Sequence, residues 1–367
     1  MFGNAILKWG MMVANILAAI ILAITLIGSI LSPELFLIPA YFTLAFPIII
    51  LINTGFVLFW IIARKWFFLI SLSILLISGN QIKDIFPVHL GETEKVPAHN
   101  SFTILTYNTK MSGDLKKHTK RKPNDVMQYI LDSNADIVCL QEFTVSKKDE
   151  YLTHMDIFKI FIKYPFKHIE YHYIENSKQS GVATFSKFPI INKKVVKYPS
   201  EYNVSIYSDI NINGKTVRVF NNHLESNKLT EKDKGMPISL KDDFNAENLS
   251  GVTMQFSRKL GVAYKMRAKQ AEAVENEIIR SPYKVIVCGD FNDVPASYVY
   301  TKIKGKLNDA FTETGTGFGW TFNEKFYHFR IDFVLYDSTA FSPVNYRTDK
   351  VDYSDHVPVV CELNIKK

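Results

Sequence analysis

Apolar and polar residues are arranged along this chain in two regimes, and the change falls near residue 82. Before it, three runs carry no charged residue: 11–31, 35–63 and 66–82. A bilayer core takes about 20 helical residues, so the runs predict three transmembrane helices with those bounds. Pro39, Pro47 and Gly55 interrupt the second run, which packing against neighbouring helices makes tolerable inside a membrane. Short-loop charges orient the spans: Lys8 precedes the first and Arg64-Lys65 separates the second from the third, while Ser32-Pro33-Glu34 holds no basic residue. The positive-inside rule then keeps Lys8 and Arg64-Lys65 in the cytoplasm. Three crossings place everything after Lys83 outside it, in a multi-pass protein of the cell (inner) membrane. The proline-containing stretch 83–100, KDIFPVHLGETEKVPAHN, reads as a linker to a domain over 101–367.

Beyond the linker the pattern becomes short apolar runs that end in polar residues. SFTILTY (101–107) stops at Asn108, and DIVCL (136–140) stops at Gln141-Glu142. GVATFS (181–186) follows, and KTVRVF (215–220) runs into Asn221-Asn222-His223. KVIVC (284–288) runs into Gly289-Asp290-Phe291-Asn292-Asp293, while Arg330-Ile331-Asp332 and Ser354-Asp355-His356 open two further apolar runs. Runs of this length read as buried strands. Helical spacing appears near Pro123, through Val126, Tyr129 and Ile130, and over 260–280 through Val262, Met266, Val274 and Ile278. Strands mixed with helices predict a layered α/β domain with sheets inside and helices outside. Strand tips that converge on one edge of such a core are where active sites collect.

Composition narrows the chemistry. Removing residues 1–100, with five basic and four acidic residues, lowers the formal net charge only from +7 to +6, a mild excess compatible with a phosphate-bearing partner. Cys139, Cys288 and Cys361 each lie inside an apolar run without metal-ligand spacing and read as small core residues rather than a disulfide or zinc framework.

Each polar tip alone has a structural explanation. Asn108 suits a turn, Glu142 a solvated loop, His223 a satisfied core histidine, Asp290 with Asn292 an Asx turn, and Asp355-His356 a cap. Asp332 is harder to set aside, because an unpaired carboxylate inside an apolar strand is costly. Six strand ends with the same anomaly outweigh the separate explanations.

In order, Asn108, LQE (140–142), the HL of 223–224, GDFN (289–292), RID (330–332) and SDH (354–356) resemble the endonuclease/exonuclease/phosphatase superfamily. It includes deoxyribonuclease I-like nucleases, inositol polyphosphate 5-phosphatases and neutral sphingomyelinases. The resemblance covers about 102–363 and implies a four-layered α/β sandwich, two packed mixed sheets flanked by helices, that hydrolyses phosphate esters with a divalent metal. Carboxylate and amide oxygens without cysteine ligands favour Mg²⁺ (or Mn²⁺). By similarity Glu142 is the main metal ligand with Asn108 and Asp355 nearby, Asp290 the base that deprotonates water, and Asn292 a phosphate contact. His223 and His356 would stabilise charge on the phosphate. Side chains of neighbours on an extended chain diverge, so the carboxylate that orients His356 is expected from Asp332 rather than Asp355.

The polar stretch 226–261 is long for a connection and reads as a mobile loop or a substrate-selecting lid, and Trp320 as a wall of the site or a core residue. The leading expectation is a membrane-anchored phosphoesterase acting on a lipid head group or a soluble organophosphate. A nuclease acting on DNA and an inactive binding module are the alternatives; no basic helix with interleaved aromatics marks a DNA track.

Overall fold

The computed structural model describes residues 5–89, 100–119, 121–147, 151–175, 177–228, 246–324 and 327–366. Two six-stranded mixed sheets form the body of the domain. The first runs β13 (Phe341–Thr348), β14 (Val359–Ile365), β1 (Ser101–Asn108), β2 (Ile137–Ser146), β4 (Lys178–Ser186), β3 (Phe166–Glu175). The second runs β5 (Ile190–Val196), β6 (Ser205–Ile212), β7 (Lys215–His223), β8 (Lys284–Asp290), β12 (Asp332–Tyr336), β9 (Asn308–Asp309). Each sheet contains one parallel pair, β1 with β2 and β7 with β8, among antiparallel neighbours. Between the sheets lie the alternate apolar residues of their inner faces, among them Ile104, Cys139, Val219, Ile286 and Cys361. All three cysteines are buried and unbridged.

Polar contacts cross that interface too, among them Gln141 of β2 donating to the Asn221 side-chain oxygen of β7 at 2.8 Å. His168 of β3 lies 3.0 Å, through Nδ1, from the Ser208 hydroxyl of β6, and it is 4% exposed. Burial, with Lys193 adding to it, pushes its imidazole down to about 4. A histidine lowered in the fold contributes stability fully above its unfolded value and loses it as pH falls towards the folded one. Between pH 7 and pH 5 the wild type should therefore lose about 2 kcal/mol relative to His168→Gln. Urea midpoints of both proteins at the two pH values measure this, and parallel shifts would refute it.

The N-terminal region is helical: α1 (Ala5–Gly28), α2 (Ile38–Thr43), α3 (Phe46–Ile62), α4 (Phe68–Ile77) and α5 (Gly79–Ile85). The expectation of three crossings is corrected here. Among the described residues one helix, α1, is long and apolar enough to span a bilayer; α3 has 17 residues, and α4 with α5 reaches the length only as a pair bent by 66°. The run 35–63 divides because Pro39 and Pro47 each sit in the first turn of a helix, where the missing N–H costs nothing. A buried polar knot joins the bundle. Ser71 donates to the side-chain oxygens of Asn15 and Asn53, and Asn53 in turn donates to the Ala18 carbonyl at 3.1 Å.

These helices pack on the two-sheet body. Leu22, Phe46 and Ile49 share a buried cluster with Val294, Ala296 and Ile331. Lys304 pairs with Asp84 at 2.6 Å, and Arg330 donates to the Asp84 carbonyl at 2.6 Å. The remaining helices are α6 (Asp125–Asp132), α7 (His154–Ile160), α8 (Ala246–Ile279), α9 (Tyr298–Lys304) and α10 (Ala310–Thr314). Asn124 caps α6 through Met127 N–H, and Val126, Met127 and Ile130 point inward. α8 begins inside the stretch read as a polar loop, so 246–261 is helix; 229–245 lie outside the described residues.

Candidate active site

Strand register brings the polar tips together. β1 and β2 are parallel with Asn108 opposite Gln141, and β7 and β8 are parallel with His223 opposite Asp290. Parallel neighbours end at the same edge, so Asn108, His223 and Asp290, from two sheets, face one place, while the Gln141 amide turns between the sheets to Asn221. β12 runs antiparallel to β8 and sets Asp332 opposite Asp290. Gly289, at φ 128°, makes this pairing possible: a Cβ there would stand 2.1 Å from the Asn222 carbonyl oxygen, a contact no other residue can have.

Glu142 is presented differently. β2 does not stop at Gln141-Glu142 as its sequence predicts; it continues to Ser146 with a bulge between Leu140 and Phe143. Glu142 sits in that bulge with φ 49°, which takes its side chain out of the in-out alternation of the strand. Residues 110–115 then trace a left-handed turn, with positive φ at all six. From it the Met111 N–H donates to the Glu142 carboxylate. Only Gly113 of the six adopts this geometry without steric cost, so strain is concentrated beside the site.

The Asp290 carboxylate lies at the focus. Its Oδ2 accepts from the Asn108 amide at 2.9 Å and from the Asn292 amide at 3.2 Å, while Oδ1 accepts from the Asn292 N–H at 2.7 Å. The Nε2 atoms of His356 and His223 stand 3.7 and 4.0 Å from Oδ2, and His223 Nε2 is 3.8 Å from Glu142. His356 Nδ1 is 2.8 Å from Asp332 Oδ2, the pairing argued from the extended chain. His356 precedes β14 and is held by an isolated bridge to Phe322. Asp355 turns away from it, with Lys110 Nζ 3.9 Å off.

Electrostatics follow from burial and from which charges meet. Burial pushes Asp290 up to about 6 against the pull of His356, with Asp332 pushing the same way as burial. Burial alone would lower His356, but Asp332 and Asp290 outweigh it and raise the imidazole to about 10. His223 is lowered by burial. Glu142 is raised by burial and by Asp355, against the pull of His356.

The donor set fits a hard divalent cation. Four carboxylates, Glu142, Asp290, Asp332 and Asp355, face two imidazoles and Lys110 as the cationic groups within 4.0 Å among the described residues. Asp332 Oδ1 and His223 Nε2 are buried without a hydrogen-bond partner, a costly state for groups with no ligand. Oxygen donors from Asp290 and Asp332 and a nitrogen of His356 also lie within 4.8 Å of one another, but the Asp332–His356 hydrogen bond already occupies one face of that trio. Asn108 turns its NH₂ to Glu142 and Asp290 and its oxygen to the Lys110 N–H at 3.1 Å. As a ligand it would present oxygen after a half-turn of the amide.

All eight expected side chains thus gather at this edge. Asn292 is the most committed internally, because its amide also donates to the Leu224 carbonyl at 2.9 Å. Trp320 is absent from the wall of the cavity that opens over these side chains; it stacks on Phe318 and His328 at the edge of a separate small cleft. Sequence reading missed Arg267 of α8, which donates to Asp293 at 3.1 Å and to the Glu225 carbonyl at 2.8 Å. This buried pair anchors the loop that carries Asn292. Arg267 was legible only as one charge within an amphipathic helix.

Two mixed sheets, helices outside and an acid-imidazole cluster at one sheet edge define an α/β sandwich of the phosphoesterase type. The chain belongs to the endonuclease/exonuclease/phosphatase family, whose model matches residues 105–356; members of this family are metal-dependent phosphoesterases. Residues 7–85 match a model described as a domain of unknown function. None of the curated proteins matches the chain in sequence. Among solved structures it resembles an endonuclease/exonuclease/phosphatase from Beutenbergia cavernae DSM 12333 at 17% identity and a TM-score of 0.51, covering 73% of this chain and 72% of that one. The human nocturnin catalytic domain is 15% identical with a TM-score of 0.49, covering 74% and 97%. The likeness to the Beutenbergia cavernae structure shows the fold alone.

Proposed function

We propose that the chain is a divalent-metal-dependent phosphoesterase, held at a membrane by its N-terminal helices, with its catalytic domain over 101–367. The convergence of Glu142, Asp290, His223 and the Asp332-oriented His356, with both imidazoles within 4.0 Å of Asp290 and Glu142 3.8 Å from His223, carries this reading. Glu142 and Asp355, with Asn108, are the residues suited to hold Mg²⁺ or Mn²⁺. Such an ion neutralises phosphate oxygens and lowers the charge that builds as the ester breaks. Asp290 accepts the proton of the attacking water, whose oxygen bonds to phosphorus as the bond to the leaving oxygen breaks; the departing alkoxide takes a proton from solvent. Protonated His356 donates to a phosphoryl oxygen, and neutral His223 orients beside it. A single crossing by α1 after a cytoplasmic Lys8 puts this chemistry outside the cytoplasm.

The test uses the full chain in detergent with a panel of phosphate mono- and diesters. Turnover should require Mg²⁺ or Mn²⁺, fall at least about 100-fold with chelator, and return on adding metal back. Chelator-resistant turnover, or none on any ester, would overturn the proposal. Salt-sensitive release of nucleotides from DNA would assign the nuclease branch instead.

A further inference from the structure

The cavity above Asp290 is about 540 Å³, the size of a site that buries a whole small ligand rather than a phosphate alone. Its floor is the catalytic cluster, and its walls are mostly apolar, with the charged residues Glu324 and Lys228 on them. Phe256 and Leu260 come from α8, Phe322 and Tyr327 from the short strands β10 (Phe322–Glu324) and β11 (Tyr327–Phe329). The remaining wall is the N-terminal region itself, through Leu44, Ala45 and Ile48 at the start of α3.

That wall is built in. Tyr41 of α2 donates to the Ser257 carbonyl at 2.8 Å, and Lys269 pairs with Glu34 at 2.9 Å. A Cβ at Gly261 would stand 2.7 Å from the Tyr41 hydroxyl and 2.8 Å from a Leu37 methyl, so the glycine admits α2 against α8. From Ile48 the apolar surface continues along α3 at helical spacing. Ile48, Leu51 and Ile52 are 61%, 70% and 49% exposed. An uncharged stripe therefore runs from the catalytic floor to the exposed face of a helix that carries no charge over its 17 residues.

We infer that the substrate is a membrane lipid phosphate ester, its phosphate on the Asp290 floor and its hydrocarbon chain laid along Leu44, Ala45 and Ile48 towards α3. This rests on the phosphoesterase reading of the same floor. The helices are then part of the substrate site as well as an anchor. Asn227 and Lys228 in the cavity lining supply polar contacts for the head group, with Lys228 held at 2.9 Å by Glu225.

The test uses the full chain with Mg²⁺ and methyl, butyl and octyl 4-nitrophenyl phosphate below their micellar concentrations, so that leaving group and chemistry are constant. A chain lying in the groove adds up to about four-fold in kcat/KM per buried methylene, and octyl over methyl should exceed about ten-fold. Ile48→Asn, at an exposed position, and Ala45→Trp, which fills the wall, should each cut that ratio at least about five-fold. Leu58→Ala, exposed and away from the cavity, should preserve it. A flat chain-length response, or a ratio unchanged in both wall variants, overturns the inference while leaving the phosphoesterase intact. No metal-dependent turnover of any of the three overturns the inference, and it removes the phosphoesterase reading as well only where the wider panel of mono- and diesters is also silent.

Discussion

Asp290→Asn is expected to abolish metal-dependent turnover, by about 10⁴-fold in kcat, without unfolding the protein. General-base catalysis contributes about 10²–10⁴-fold, and this carboxylate also organises its neighbours. Its two oxygens accept three hydrogen bonds from Asn108 and Asn292. An asparagine can keep an acceptor on one side only, so its NH₂ must face another donor and the loop carrying Asn292 loses its reference. The fold tolerates this because burial already disfavours the charge on Asp290. The variant should melt near the wild type in chelator while showing no measurable hydrolysis. Retention of a tenth of wild-type activity would remove Asp290 from the base role.

The second large effect is at Asp332. Its charge and its 2.8 Å bond to His356, together with the charge of Asp290, overcome burial and keep that imidazole protonated. In Asp332→Asn the imidazole loses the larger of the two carboxylate partners that oppose burial, and its proton is held less tightly. A folded pKa of about 10 means that the charge, and the donor it supplies, is present below that pH and lost above it. In the variant the loss comes at lower pH. At pH 8 kcat/KM should drop about 10²–10³-fold, the range for removing one charge-stabilising donor, and recover partly towards pH 6. A structural role alone would scale the whole pH profile without moving its alkaline limb. An unmoved limb therefore excludes the positioning role.

How far these residues could be read beforehand depended on their local backbone. Asn108, His223 and Asp290 sit at the ends of regular strands, where an apolar run meeting a polar residue is visible without coordinates. The Asp332–His356 pairing was legible too, because neighbours on an extended chain cannot share a partner. Glu142 was seen as a strand end and is instead a bulge inside β2; a two-residue irregularity leaves no periodic signature. Strand β6 and the edge strands β3, β5 and β13 escaped notice, since half-exposed strands such as IINKKVV break the apolar pattern. Hydrophobic runs marked the N-terminal helices but not their breaks, because a proline can begin a helix or kink one.

What the order of residues determined alone was the cast: an apolar helical segment, a layered α/β body, and a set of oxygen and imidazole donors at strand tips. Local patterns and spacing suffice for that, since each depends only on near neighbours along the chain. Tertiary structure alone decided the distances, the charge states and the walls. Asp290 and His356 lie 66 positions apart in the chain yet 3.7 Å apart in space, and their charge states arise from mutual proximity and shared burial. That α3 lines the catalytic cavity was decided the same way, by contacts between segments more than 200 residues apart.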